Sequence, residues 1–450
     1  MKQEELVQGN LAAVFARYAA PGVAGMLGVS LYILADTFFI AGGVGSGGLA
    51  ALNIVIPFYS LVSATGLLIG TGAATQFAIR KGRADGTHNQ PFTVAIAAIF
   101  ILAAVFTTVG VLFTRPIGAL LGGKADTMPY VTVYLRTFSC FAGVFAVNNV
   151  LLGFVRNDGS PRRAMCATLA SSLSNILLDY LFIFPLGWGM FGAALATGLS
   201  ALLSTTVLLT HFFGRKSTCR LVRCKNALRT LAQAVATGLP SFVTELSSGV
   251  VIFLFNWVLL KLSGTQGVAA YGVVANLSLV CASVFTGVGQ GAQPLISVNF
   301  GAGKHERVRR ATLLAAGTAL VFGGLFLALG LCLPQMIAGL FVGNGPEALM
   351  ALTTDGVRLY SVAFPLMGVN IALTSAFAAM NRPWSSFALS LLRGIALVLP
   401  ALFLLASLFG TTGVWLTIPA SEAATLLVGG TFAWRISAQL RRGMGPKVCG

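Results

Sequence analysis

Charge is what this sequence has least of. Of its 450 residues only 9% are Asp, Glu, Lys or Arg, against about a quarter in soluble domains. With 56% hydrophobic residues and a mean hydropathy of +0.86, that scarcity excludes a water-soluble domain and implies a polytopic membrane protein. Histidine occurs at 88, 211 and 305 only, near helix ends or in loops, which gives no basis for a metal centre. The seven cysteines are scattered, and Cys219 and Cys224 have no Cys or His partners at metal spacing, so free thiols are expected. No HExxH, GxSxG or Walker loop is present, so neither an enzyme nor a cofactor is expected. No stretch looks like a removed signal peptide. The first apolar segment follows Glu4 and Glu5, contains Arg17 and Asp36, and is too long for an h-region.

A bilayer crossing needs about 20 apolar residues. Twelve such runs are present: 15–41, 49–79, 92–114, 130–155, 164–185, 190–213, 231–260, 268–298, 311–335, 357–380, 385–409 and 413–436. The net charge of +17 does not point to nucleic acid, because the basic residues sit in alternate loops. Lys2, Arg17, Arg80–Arg83, Arg156–Arg163, Arg215–Arg229, Lys304–Arg310, Arg382 and Arg393, and Arg435–Lys447 fall on one side, 24 of the 29. The positive-inside rule then puts both termini in the cytoplasm. Segment 214–230 is the longest polar connection near the midpoint and reads as a basic linker against anionic lipid. The expected organisation is all-α: an N-terminal six-helix lobe at 1–213, the linker at 214–230, a second six-helix lobe at 231–436 and a cytoplasmic tail at 437–450.

The halves repeat. A shift of 219 superposes Pro21 on Pro240, Gly48 on Gly267, Ala50-Ala51 on Ala269-Ala270, Gly70 on Gly289, Gly72 on Gly291 and Gly82 on Gly301. Six crossings separate the equivalents, so the repeat is parallel, about a pseudo-two-fold axis along the membrane normal. Two lobes with a cavity between them, open to one side at a time, are expected. The repeat fails where charge is buried. Asp36 aligns with Phe255, Asp179 near Pro400, Glu245 with Met26 and Glu422 near Ala201.

Two apolar segments meet at the turn Pro185-Leu-Gly-Trp-Gly189. Asn175 and Asp179 are four apart and share a helix face. Thr197 lies about as far past the turn as Asp179 lies before it, so a helical hairpin brings all three to one depth. An ionised Asp in hydrocarbon costs roughly 2.5–3.5 kcal/mol even on lenient scales. A cluster of oxygen ligands is a reason to tolerate that cost; capping or bonding of neighbouring helices is the rival reading for Asn175 and Thr197. Asp36 and Asp179 each lie about six residues before an outer helix end, hence in the outer half of the bilayer. Two adjacent carboxylates in low dielectric cannot both ionise cheaply, so the pair suits a proton, or sodium if Asn175 and Thr197 complete a shell. Glu245, about fifteen residues into the seventh span, suits either a substrate cavity or an interhelical hydrogen bond, and Glu422 in the twelfth is treated alike. Pro21 opens the helix that carries Asp36 and is a hinge candidate.

Several stretches resemble the multidrug and toxic compound extrusion (MATE) family, in its bacterial DinF- or MepA-type branch. They are ADTFFIAGGVGSGGLAALNIVIPF at 35–58, SNILLDYLFIF at 174–184, FGAALATGLS at 191–200, GLPSFVTELSSG at 238–249 and GQGAQPLISVNFGAGKHERVRRA at 289–311. The resemblance implies a cation site in the N-terminal lobe, with Asp36 matching the first-helix acid, Asn175 and Asp179 the fifth-helix N-x-x-x-D, and Ala193 to Thr197 the sixth-helix A-A-L-A-T. Glu245 matches the seventh-helix acid of some members. Tyr180 stands where a Pro often follows the Asp, and 358–380 lacks the tenth-helix acid of other members. The activity that the resemblance implies is proton- or sodium-driven export of small amphipathic, often cationic, compounds across a bacterial inner membrane by a lipid-embedded, monomeric carrier. The alternative is a flippase of a lipid-linked precursor on a related two-lobed fold, which would need Lys or Arg inside the cavity to meet phosphates.

Overall fold

The computed structural model describes residues 3–84, 86–214, 217–343 and 346–441. Residues 215–216 of the linker and most of the expected tail, 442–450, lie outside them. Every described element is a helix: α1 (Gln3–Gln8), α2 (Leu11–Gly43), α3 (Ser46–Arg83), α4 (Gln90–Leu112), α5 (Thr114–Leu120), α6 (Met128–Asn157), α7 (Pro161–Ile183), α8 (Gly189–Phe212), α9 (Ala227–Gly301), α10 (His305–Cys332), α11 (Pro334–Val342), α12 (Glu347–Tyr360), α13 (Ala363–Ala379), α14 (Pro383–Leu391), a π-helical turn (Leu392–Ala396) and α15 (Val398–Arg441).

Nine helical stretches among the described residues are long and apolar enough to cross a membrane, and α12 with α13 form a further, bent span. Two of the nine are double. The 75 residues of α9 turn back at Gly264, where φ is +63°, and α15 breaks at Gly410, where φ is +59°. A Cβ would be strained at both positions, and glycine removes that cost. Counted this way, the spans number the twelve expected from hydropathy.

The repeat is written into the backbone breaks as well. Left-handed residues pair at Gly45 and Gly264, Ala84 and Gly303, Gly122 and Gly343, Gly159 and Asn381, and Gly187 and Gly410. Their separations drift only from 219 to 223. Pro161 and Pro383 each open the helix after one such pair, where the missing N–H is not needed.

The chain forms two compact units, one of residues up to Leu6 with Ala24–Leu246, the other of Val7–Val23 with Ser247 onward. The divisions thus fall inside α2 and α9 rather than in the linker. Small residues explain the choice. Gly72 of α3 lies against the carbonyl of Ala234, and Gly238 against that of Leu68, which seats the first turns of α9 in the N-terminal unit. Gly22 and Gly287 meet backbone to backbone, as do Gly291 and Ala19, which seats the first turns of α2 in the C-terminal unit. Pro21 stands in unbroken helix, two residues before the change of unit. The N-terminal core runs along α3, α4, α6 and α8, with Phe77, Phe92, Phe138 and Phe154 at its centre.

Candidate functional site

The middle of α2 packs along α7 through glycine. Gly25 faces Met165 and Thr168, and Gly28 faces Leu169 and Ser172. This close approach brings Asp36 of α2 to the face of α7 that carries Asn175 and Asp179. The hairpin between α7 and α8 turns through Gly187 and Gly189, both at positive φ, and returns Thr197 to the same depth. Asn175 Nδ2 donates to Thr197 Oγ1 at 3.5 Å, and Thr197 Oγ1 donates to the carbonyl of Ala193 at 3.0 Å. Asp179 is 0% exposed and Asn175 1%, so no bulk water screens them.

Four buried oxygens in this cluster meet no donor: Asp36 Oδ1, both carboxyl oxygens of Asp179, and Asn175 Oδ1. Buried polar atoms are satisfied in the great majority of cases, so four together are an unusual concentration. The carboxyls of Asp36 and Asp179 bear directly on one another. Tyr134 of α6 adds a hydroxyl that interacts with Thr197 and lies within electrostatic reach of both acids. Sequence reasoning missed Tyr134, because an aromatic residue in an apolar run carries no signal of what it faces.

Glu245 does not stand apart from these acids. The residues up to Leu246 belong to the N-terminal unit, so the unit that holds the coupling candidates also holds this carboxyl. It interacts with Ser63, and its charge, like that of Asp36, reaches Tyr32. Tyr32 and Tyr59 share a hydrogen bond at 3.4 Å between hydroxyls.

Glu422 has a different environment. It is 3% exposed. Its Oε1 accepts from Arg393 Nη2 at 3.0 Å and from Nε at 3.3 Å. Its Oε2 accepts from Asn370 Nδ2 at 2.7 Å. Hydropathy and loop counting put Arg393 among the cytoplasmic basic residues. It lies instead about 15 Å along the span that opens at Pro383, in the π-helical turn. Its distance from the loop was hidden because its span tolerates one cation once a carboxylate partner is supplied by another helix.

A third buried carboxylate, Asp158, lies at the end of α6, beside the ends of α3 and α8. Asp158 accepts from Lys81 Nζ at 2.7 Å, from His211 Nε2 at 2.9 Å and from the Thr218 amide at 2.8 Å, and also bonds the Thr218 hydroxyl. Burial pushes its carboxyl up, but the His211 bond, the Lys81 charge and the Thr218 bond outweigh it and hold it well below the usual carboxylate range. This clasp ties α3, α6 and α8 to the start of the linker, and Cys219 is buried beneath it.

Comparison with known proteins agrees with this architecture. The MatE family model matches residues 21–181 and 240–404, one block in each repeat. The multidrug export protein MepA of Staphylococcus saprophyticus is 25% identical over 434 residues, covering 95% of each chain. A protein of Shewanella oneidensis named as an FAD transporter is 28% identical, covering 94% of each. Among solved structures, an outward-facing multidrug resistance MATE transporter of the MOP superfamily superposes with a TM-score of 0.92 at 23% identity, over 98% of this chain and 99% of that one. A MOP-superfamily transporter from Pyrococcus furiosus gives 0.88, also at 23% identity and over 98% and 99%. The chain therefore belongs to the MatE family, and is a multi-pass transmembrane transporter rather than an enzyme.

Proposed function

We propose that the protein is a cation-coupled antiporter that exports small amphipathic, often cationic, compounds across a bacterial inner membrane, with both termini in the cytoplasm. The observation that carries this reading is the set of four unpartnered oxygens on Asp36, Asn175 and Asp179. A buried carboxylate without donors must take up a proton or a cation. Asn175, the Thr197 hydroxyl and the Ala193 carbonyl supply the neutral oxygens that a sodium shell needs, and the Asp36–Asp179 pair suits a shared proton. Either ion neutralises the cluster and lets α2 repack against α7, with Pro21 as the point of bending. Each inward charge supplies about 2.3 kcal/mol per 100 mV, and repacking links that drive to release of substrate outside. Glu245, an acid of the same unit, is assigned to holding the positive end of cationic substrates. Glu422, with both oxygens bonded, is assigned to the scaffold.

Purified protein in liposomes, given proton and sodium gradients separately, tests the coupling. Efflux should follow one gradient and collapse when it is dissipated; equal rates with neither gradient would remove the basis of the proposal. Topology is tested by an impermeant maleimide. Cys224 should label only from the cytoplasmic face, and Cys219, being buried, more slowly and from that face only.

A further inference from the structure

The three helices that build the Asp36–Asp179 cluster with α2 are α6, α7 and α8. Their counterparts in the repeat are α13, the π-helical stretch after α14, and the part of α15 beyond Gly410. These counterparts carry Asn370, Arg393 and Glu422. Each unit therefore places a buried acid among the same three helices, and the two acids are treated in opposite ways. At Asp179 neither oxygen has a donor. At Glu422 both oxygens have donors, two from one guanidinium and one from an amide.

We infer that Arg393 is a tethered cation, doing for Glu422 in the C-terminal unit what a mobile ion does for Asp179 in the N-terminal unit, so that Glu422 exchanges no ion during transport but becomes a site for a proton or sodium once Arg393 is removed. The inference rests on the coupling role proposed for Asp36 and Asp179. Three features support it. A guanidinium stays protonated under all physiological conditions, so this cation cannot leave as a proton would. Its Nε and Nη2 both donate to one carboxyl oxygen, Oε1, and Asn370 holds the other, so neither oxygen is left open to a mobile ion. The wider π-helical turn at Leu392–Ala396, closed by the bond from the Leu397 amide to the Leu392 carbonyl at 3.0 Å, falls at Arg393 itself. Such turns shift the side chains within them off the regular helical register, and here the shift accompanies a side chain that must reach a neighbouring helix. Asn370 fixes the other end by also donating to the Glu422 main-chain carbonyl at 2.9 Å.

The test is dicyclohexylcarbodiimide, which modifies protonated carboxyls in apolar surroundings, applied to the full chain in liposomes and read residue by residue as peptide mass shifts. In the unaltered protein Asp36 or Asp179 should react, and sodium or high pH should suppress that reaction, while Glu422 stays unmodified. In Arg393→Met, an unpaired Glu422 must be neutralised, so its modification should rise about tenfold or more. Protection by sodium would identify a sodium site, and protection by high pH alone a proton site. Arg393→Lys keeps a tethered charge and should leave Glu422 as unreactive as before. If Arg393→Met does not insert, the charge-neutral double variant Arg393→Gln/Glu422→Gln serves instead, and should move the same number of ions per substrate as the unaltered protein. Ion-protected modification of Glu422 in the unaltered protein overturns the inference. So does an unreactive Glu422 in well-inserted Arg393→Met, or a lower ion count in the double variant. Reaction of Asp36 and Asp179 that depends on neither sodium nor pH would instead strike the coupling proposal, and the two failures are read at different residues.

Discussion

Asp179 and Glu422 are both carboxylates buried in apolar helices of a repeated scaffold, yet one is left without donors and the other is given three. The cost of desolvating a carboxylate is the same problem in each unit. In the C-terminal unit the answer is built into the chain and permanent, an arginine from the neighbouring helix with an asparagine behind it. In the N-terminal unit no such partner is built, and the acids face each other instead. A site with a built-in counter-charge is stable but cannot respond to a gradient. A site without one is unstable alone and is completed only by something that comes and goes. If the proposed roles hold, the number of donors on a buried acid, rather than its burial, separates a working carboxylate from a structural one.

The comparison breaks most decisively at Asp179. Asp179→Asn removes the charge while keeping shape, and should abolish gradient-driven efflux in liposomes while the protein still inserts and binds substrate in detergent. Asp36→Asn should behave alike. Thr197→Ala should be milder, because water can replace one neutral ligand. Transport by either Asp→Asn variant at the unaltered rate, with the same gradient dependence, would place the coupling site elsewhere.

At Glu422 the expected loss is in stability rather than coupling. Glu422→Gln strands the Arg393 charge in a buried setting, a defect worth about 3–5 kcal/mol. Thermal unfolding in detergent should show a clear drop in midpoint. Arg393→Met/Glu422→Met should recover most of it, since apolar replacement of a whole buried pair is often neutral or stabilising. A double variant as unstable as the single one would mean that packing around Glu422, and not charge pairing, holds these helices.

Asp158 extends the comparison to a carboxylate outside the hydrocarbon. Its carboxyl is depressed, so its contribution is fully present above the ordinary carboxylate value, about pH 4, and fades as pH falls below it. Asp158→Asn should therefore cost about 2 kcal/mol near neutrality, and the gap from the unaltered protein should close in acid. Cys219 should become reactive to maleimide as the clasp loosens. A gap that is equal at pH 7 and in acid would show that the charge of Asp158 is not what the clasp uses.

Much of this was legible in the sequence because membrane helices announce themselves by length and apolarity, and because glycine marks its own breaks. The twelve crossings, the repeat, and the alignment of Asn175, Asp179 and Thr197 follow from spacing alone. What escaped depends on pairings between distant helices. The Arg393–Glu422 pair joins residues 29 positions apart on helices whose relative rotation is set by a π-helical turn, and no periodicity reports that turn. Tyr134 of α6 meets Thr197 of α8, and so comes within electrostatic reach of Asp179, where α6 packs against α8. The unit boundary at Leu246 follows from the seating of Gly72 and Gly238 against main chain, which a hydropathy profile does not see.

The smallest expected effect, and the finest division of the comparison, is at Glu245. This acid lies in the same unit as Asp179, but unlike Asp179 it interacts with a serine hydroxyl and is half-buried rather than sealed. On the donor argument it should be an acid that stays in place and offers its charge, not one that cycles through an ion. Glu245→Gln keeps the hydrogen-bonding shape and deletes the charge. A contact of a half-buried carboxylate with an organic cation is worth about 1 kcal/mol, or about fivefold in KM. Cationic substrates should lose that much, neutral ones almost nothing, and the dependence on the ion gradient should be unchanged for both. Transport measured side by side for a cationic and a neutral compound of similar size resolves the alternatives. Equal loss for both would move Glu245 to the scaffold with Glu422, and loss of gradient dependence would move it into the coupling cluster through the Tyr32–Tyr59 hydroxyls that both Asp36 and Glu245 reach.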